Sequence, residues 1–226
     1  MQETGQYARR VELVGDASLY GILDLGYVAK EEMRAVARGL LEGGAGVIQL
    51  RAKGCDPEEV LALFGEYAPD LAEMCQSFDV PLIINDYPEV ALAVGADGVH
   101  VGQDDGSLVE VRSVVGDSMI VGRSTHSAQQ ARAALDEGFD YIGFGPLFPT
   151  PTKQGRPGIG LESIFDVENE VGKKIPVFCI GGIKPDNLEL VLASGACRVV
   201  IVSALLQASD ISAATRSIVK ALIPNT

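Results

Sequence analysis

A single-domain α/β barrel, eight parallel strands each followed by a helix, is the fold class the sequence predicts, and three observations carry it. Short apolar runs alternate with helix-like stretches from residue 19 to residue 222. The runs are apolar almost throughout, as expected of parallel strands covered on both faces. The chain has 226 residues, near the length of about 250 typical of a (β/α)8 TIM barrel. An open doubly wound sheet is the competing arrangement, but no strand runs into a Gly-x-Gly-x-x-Gly helix start.

Residues 1–18 read as an amphipathic or irregular lead-in, with Val11, Leu13 and Val14 available to cover a barrel end. The barrel proper is expected over residues 19–222. Strand one spans 19–23 and stops at Asp24. Met33, Val36, Ala37, Leu40 and Leu41 then recur as one helix face within 30–43, which Gly43-Gly44 ends. Strand two follows at 46–50, then a long helix at 57–77 with Pro57 at a favourable first position. Strands three, four and five are placed at 81–84, 98–101 and 119–121. Ser127 caps an Ala-rich helix ending at Glu137. Strands six, seven and eight occupy 141–144, 176–180 and 198–202, with helices at 185–193 and 209–221. A phrase of the form Gly-Ala-Asp-Gly-Val recurs, with variations, at Gly44, Gly95, Gly138 and Gly195. It reads as a helix-ending glycine, a tight turn and the next strand. No linker or second domain interrupts the pattern.

Composition narrows the partners. A formal charge of −13 opposes nucleic acid, whose phosphate backbone needs a basic field. It leaves room for small phosphorylated ligands, because screening confines each charge to about 8 Å. No apolar run approaches the roughly 20 residues that span a bilayer, and the start shows no signal-peptide pattern. Cys55, Cys75, Cys179 and Cys197 are widely spread, without metal-site spacing, and read as reduced, buried thiols of a cytoplasmic protein.

Such barrels place their chemistry where strand ends converge, and the polar stops of the strands are rich in ligands for anions. Gly181-Gly182 and Val202-Ser203 follow strands seven and eight, where barrels often bind phosphate through bare backbone N–H groups; a plain tight turn is the competing account of the glycines. Arg51 and Lys53 alternate out of strand two, so both face the cleft if Ala52 points away. Lys153 is a third cation, in a loop of Thr and Pro. Together they suit a multiply charged anion such as diphosphate. Asp86 and the Asp104-Asp105 pair suggest Mg²⁺, which takes one or two carboxylates plus substrate phosphates and water; one of the pair is expected to serve as a cap or turn residue. Ser124 and His126 follow strand five without an orienting acid, so Ser124 reads as a hydrogen-bond donor to substrate. His100 reads as a satisfied core histidine. The 148–160 loop, with its prolines and glycines, is a candidate lid.

Four phrases in this order, Gln49-Leu50-Arg51-x-Lys53, Gly98-Val99-His100-Val101-Gly102-Gln103-Asp104-Asp105, Gly145-Pro146-Leu147-Phe148-Pro149-Thr150-x-Thr152-Lys153 and Ile180-Gly181-Gly182-Ile183, resemble those of the thiamine-phosphate synthases, over about residues 20–208. The resemblance implies a barrel transferase acting on two small molecules. It joins 4-amino-2-methyl-5-hydroxymethylpyrimidine diphosphate to a thiazole phosphate, or its carboxylated form, and releases diphosphate without a protein nucleophile. By motif, Gln49, Arg51 and Lys53 would hold the pyrimidine diphosphate, with Asn85, Ser124 and Lys153 around it. Asp86 and Asp105 would bind Mg²⁺. Thr150, Thr152, Gly182, Val202 and Ser203 would take the thiazole phosphate. Arg51, Lys53 and Lys153 are the implied catalytic cations. A homo-oligomer remains open. Three positions depart from the family's usual residues: Leu23, where threonine is common; Arg123, expected to add positive potential near the diphosphate or to pair with an acid on the rim; and Cys197-Arg198, before strand eight on the opposite face. The rival readings are the related thiazole tautomerase, which keeps only the thiazole-phosphate end, and a non-catalytic phosphate-binding barrel.

Overall fold

The computed structural model describes residues 2–150 and 157–223. Its strands are β1 (Leu19–Asp24), β2 (Val47–Arg51), β3 (Leu82–Asn85), β4 (Gly98–Val101), β5 (Ile120–Thr125), β6 (Tyr141–Phe144), β7 (Val177–Ile180) and β8 (Val199–Ile201). Each pairs in parallel with its successor, and β8 closes on β1, giving an eight-stranded barrel. The helices are α1 (Gln2–Asp16), α2 (Met33–Glu42, after a 3₁₀ turn at Lys30–Glu32), α3 (Pro57–Ser77), α4 (Pro88–Ala93) and α5 (Leu108–Val115). They continue with α6 (Ala128–Glu137), α7 (Ile164–Val167, running into a π-helical turn at Glu168–Gly172), α8 (Leu188–Ala193), α9 (Ser203–Leu206) and α10 (Ile211–Leu222).

Strand alternation divides the apolar residues into two cores. Outward residues such as Leu23, Leu50, Ile84, Val99 and Ile142 pack against the helices. In α2 the buried residues are Met33, Val36, Ala37, Leu40 and Leu41, the face its spacing predicts. Inward residues Tyr20, Ile22, Val47, Ile83, Ile120, Tyr141, Phe178 and Val200 fill the barrel lumen. There the ring of Phe178 meets Tyr20 edge-on at 5.2 Å and Tyr141 at 5.8 Å. Such contacts give a packed interior rather than a pore.

Helix α1 covers the N-terminal end of the barrel. Val14 and Ala17 join the lumen core, and Arg10 pairs with Asp97 at 2.8 Å. Asp97 also accepts the Leu82 N–H, and Asp140 likewise accepts the Val121 N–H while bonding Tyr7 and Arg112. These aspartates belong to the recurring phrase, whose glycines Gly44, Gly95, Gly138 and Gly195 all have positive φ, a conformation glycine adopts without steric cost.

Two expectations need correction, and four helices gain bounds. The β5 strand runs to Thr125 rather than stopping at residue 121. Its polar run still pairs with β6, Gly122 opposite Tyr141 and Thr125 opposite Phe144, because main-chain carbonyls receive the donors of Arg123 and Thr125. Helices α4, α5, α7 and α9 fill connections for which the barrel pattern implied a helix but the spacing set no bounds. Among the four free thiols, Cys75 and Cys179 are buried as expected, whereas Cys55 is half-buried and Cys197 exposed. No helix among the described residues is long and apolar enough to cross a membrane.

Candidate active site

Along β1, β2, β3 and β5 the inward residues turn polar toward the C-terminal end: Ile22 gives way to Asp24, Val47 to Gln49 and Arg51, Ile83 to Asn85, and Ile120 to Ser124. The parallel barrel brings these ends to one mouth. It is a cavity open to solvent, walled by Asp24, Gln49, Arg51, Asn85, His100, Ser124, Thr150, Gly181, Gly182, Val202 and Ser203, with aromatic and aliphatic side chains below.

Below the mouth runs a chain of hydrogen bonds. Gln49 Nε2 donates to the Tyr20 hydroxyl at 2.8 Å, which meets the Tyr141 hydroxyl at 3.0 Å. Tyr141 meets His100 Nδ1 at 3.1 Å, and His100 Nε2 meets Ser124 Oγ at 3.0 Å. Burial raises the pKa of both tyrosines, so they remain neutral donors and acceptors. A Cβ on Gly122 would lie 2.1 Å from Tyr141 Cζ; the bare glycine makes room for the ring that links the chain. His100 is satisfied, as expected of a core histidine. It nevertheless borders the mouth and is the partner of Ser124. His126 instead bonds the Gly145 carbonyl.

Arg51 is not a lone cation. It forms a buried ion pair with Asp24, whose other oxygen accepts the Gly26 N–H at 2.9 Å. Ala52 packs outward against the helices, as the alternation of Arg51 and Lys53 requires. Lys53 is exposed and does not line the cavity, but its charge acts on Asp86.

Asp86 and Asp105 meet beside Asn85, which lines the cavity, while neither carboxylate does. Burial, then the negative charge of Asp105, raises the pKa of Asp86; Lys53 and a hydrogen bond with Asn85 oppose this. Asp86 has φ +68°, a region Asp tolerates better than most residues but which still costs about 1–3 kcal/mol. Asp105 also acts as a turn residue, since its Oδ2 accepts the Gly102 N–H at 2.6 Å. Two apposed carboxylates supply the hard oxygen donors that suit Mg²⁺. No group of three or more His, Cys, Asp or Glu among the described residues could hold a metal, so the fit is to an ion that draws further ligands from substrate and water.

On the far side, Gly181 and Gly182 have φ of +101° and +68°. A Cβ would come within 2.4 Å of Pro146 Cα at Gly181 and 2.7 Å of Phe148 Cβ at Gly182. The turn therefore requires both glycines whatever they bind, and both also line the mouth. Asn187 fixes the turn by donating to the Gly182 carbonyl at 2.9 Å. The first amides of α9, at Ser203 and Ala204, belong to the set an α-helix leaves without intrahelical acceptors. Thr152 and Lys153, with the centre of the candidate lid, lie outside the described residues.

Of the other departures, Leu23 points into the outer core, so its replacement of threonine does not alter the mouth. Arg123 is buried on the outward side of β5 and is absent from the cavity wall. It joins no ion pair found among the described residues, so the expected pairing with a rim acid is not seen there; its hydrogen bonds go to main-chain carbonyls instead.

Residues 19–205 match the model of the family described as thiamine monophosphate synthase. The chain belongs to this family. It is 45% identical over 178 residues to the thiamine-phosphate synthase of Thermus thermophilus, covering 79% of this chain and 83% of that one. It is 41% identical to the Halalkalibacterium halodurans thiamine-phosphate synthase over 197 residues, covering 87% and 90%. The solved thiamine phosphate pyrophosphorylase of Pyrococcus furiosus is similar with a TM-score of 0.79 at 33% identity, covering 94% of this chain and 100% of that one. The Pyrococcus furiosus protein thus shares the fold of this chain.

Proposed function

We propose that the protein is a thiamine-phosphate synthase, a transferase that joins the pyrimidine diphosphate to the thiazole phosphate and releases diphosphate. The supporting observation is the single mouth. It has amide, hydroxyl and imidazole groups at its centre, Arg51 on one side and the Gly182 and Ser203 backbone opposite; the Asp86–Asp105 pair stands beside Asn85, just outside that wall.

Gln49, Asn85 and Ser124 hold the pyrimidine, with Ser124 oriented by His100. The C–O bond to diphosphate breaks with its electron pair leaving on oxygen, and the aminopyrimidine ring stabilises the benzyl-like cation. The thiazole nitrogen lone pair then forms the new C–N bond. Charge grows on the leaving group, and Arg51 at the cavity wall, joined through the family motif by Lys53 and Lys153, would stabilise the transition state more than the ground state. Asp86 and Asp105 would hold Mg²⁺, which would supply further neutralisation of that charge. Thr150, Thr152, Gly182 and the Val202-Ser203 backbone receive the thiazole phosphate. Ile22, Ile180 and Val200 wall the centre and limit the water that would otherwise capture the cation.

The purified protein is tested with both substrates, with and without Mg²⁺, using the thiazole phosphate in plain and carboxylated forms. Thiamine phosphate and diphosphate are expected in equal amounts and only with Mg²⁺. Thiazole isomerisation without diphosphate release would assign the protein to the tautomerases, and binding without turnover would make it a sensor. Asp86→Ala should lower kcat by at least about 10² while leaving the thermal midpoint near that of the wild type. Wild-type turnover in that variant removes Asp86 from the site.

A further inference from the structure

We infer that Arg123 is a positioning residue for the metal carboxylates, acting from outside the barrel by gripping the two main-chain carbonyls that bracket Asp104-Asp105. The inference rests on the reading of Asp86 and Asp105 as the Mg²⁺ ligands.

Strand alternation places Arg123 among apolar outward neighbours, where an unpaired guanidinium would be costly. Two arrangements offset that cost. Its guanidinium carbon lies over the Phe139 ring, 5.2 Å from the centroid. Its Nη1 donates to the Gly106 carbonyl at 2.5 Å and its Nη2 to the Gln103 carbonyl at 3.2 Å. The same loop reaches back, with Gln103 Nε2 donating to the Ser124 carbonyl at 2.7 Å. The β4–α5 loop is therefore clasped to β5 on both sides of Asp105.

Inside the clasp, Asp105 accepts the Gly102 N–H and meets Asp86. Two carboxylates that repel each other remain apposed only if their backbones are fixed, and β3 fixes only Asp86. The planar guanidinium spans two carbonyls at once. An ammonium is a point donor and holds fewer of these bonds. Arg123→Met keeps the apolar stem beside Phe139 and removes both tethers, whereas Arg123→Lys keeps the charge and part of the hydrogen bonding.

The test is a titration of the whole protein with Mn²⁺, followed by electron paramagnetic resonance with inorganic diphosphate present, together with steady-state kinetics at varied Mg²⁺. Arg123→Met is expected to weaken Mn²⁺ binding about 10-fold or more and to shift the Mg²⁺ activation curve by a similar factor. KM for the thiazole phosphate should remain within about twofold of wild type, and kcat should recover at saturating Mg²⁺. Arg123→Lys should fall between the two, and it carries the test if Arg123→Met does not fold. Exchange of the Gly102 amide with solvent should quicken in both. Asp86→Asn and Asp105→Asn separate the layers of the argument. If they retain wild-type Mn²⁺ affinity, the metal-carboxylate reading fails. If they lose it while the Arg123 variants retain it, the positioning role is overturned. A uniform loss of kcat that Mg²⁺ does not restore would also overturn it.

Discussion

Asp24 and Arg51 show how one side chain sets the use of another. Both are buried at the mouth and ion-paired. Removing one partner of a buried pair leaves an uncompensated charge, at a cost of about 3–5 kcal/mol. Asp24→Ala is therefore expected to lose stability of that order in urea unfolding and to raise KM for the diphosphate substrate as Arg51 reorients. A loss below about 1 kcal/mol would show that solvent already screens the pair. The position of Arg51 was legible from its motif, but the pairing was not, because Asp24 lies 27 residues away and meets it only through the β1–β2 register. The partners of Arg123 were hidden for a related reason. Its neighbours in the chain are polar, but those in space are a phenyl ring and two carbonyls.

The β8 connection departs from the repeated phrase in a way that can be measured. Where Asp97 and Asp140 serve their strands, Cys197 stands instead, and its N–H donates at 3.1 Å to Glu168 from the π-helical turn. Burial raises the pKa of Glu168 above its ordinary 4.5, against the Cys197 N–H and Arg198. The folded protein therefore binds the Glu168 proton more tightly than the unfolded chain does. This contribution is fully present below pH 4.5 and is lost as pH rises through the raised folded value. Glu168→Gln should gain on wild type in urea midpoint as pH is stepped upward through that window, then hold a constant difference. A difference that shrinks with pH would contradict the burial of the carboxylate. The helix faces of α2 and α3 were readable from spacing. The short α4, α5, α7 and α9 were not, since helices of four to eight residues present too few turns for a periodic signal. The end of β5 was hidden by its polar residues, which find their partners in other strands and loops.

Closure itself was the most legible property, because eight apolar runs with turn glycines between them admit few topologies. What the linear order concealed is the alternation inside each run: one residue packs a helix and the next builds the lumen or the mouth. His100 was read as a core histidine from its apolar neighbours, and the same alternation places it, with Tyr141, at the site. Helix α1 completes this division by sealing the opposite end with Val14, which is 1% exposed. Val14→Ala should cost about 1–3 kcal/mol in urea unfolding and leave kcat and both KM values within about twofold, since the mouth lies at the other end of the strands. A comparable loss in kcat would mean that the two ends are coupled.

The placement of α1 also bears on practical handling. An affinity handle or fusion partner joined ahead of this helix would hang from the sealed base. Tethered to a solid support by that route, the molecule would present its open rim to the bulk liquid, with reagents free to enter and leave.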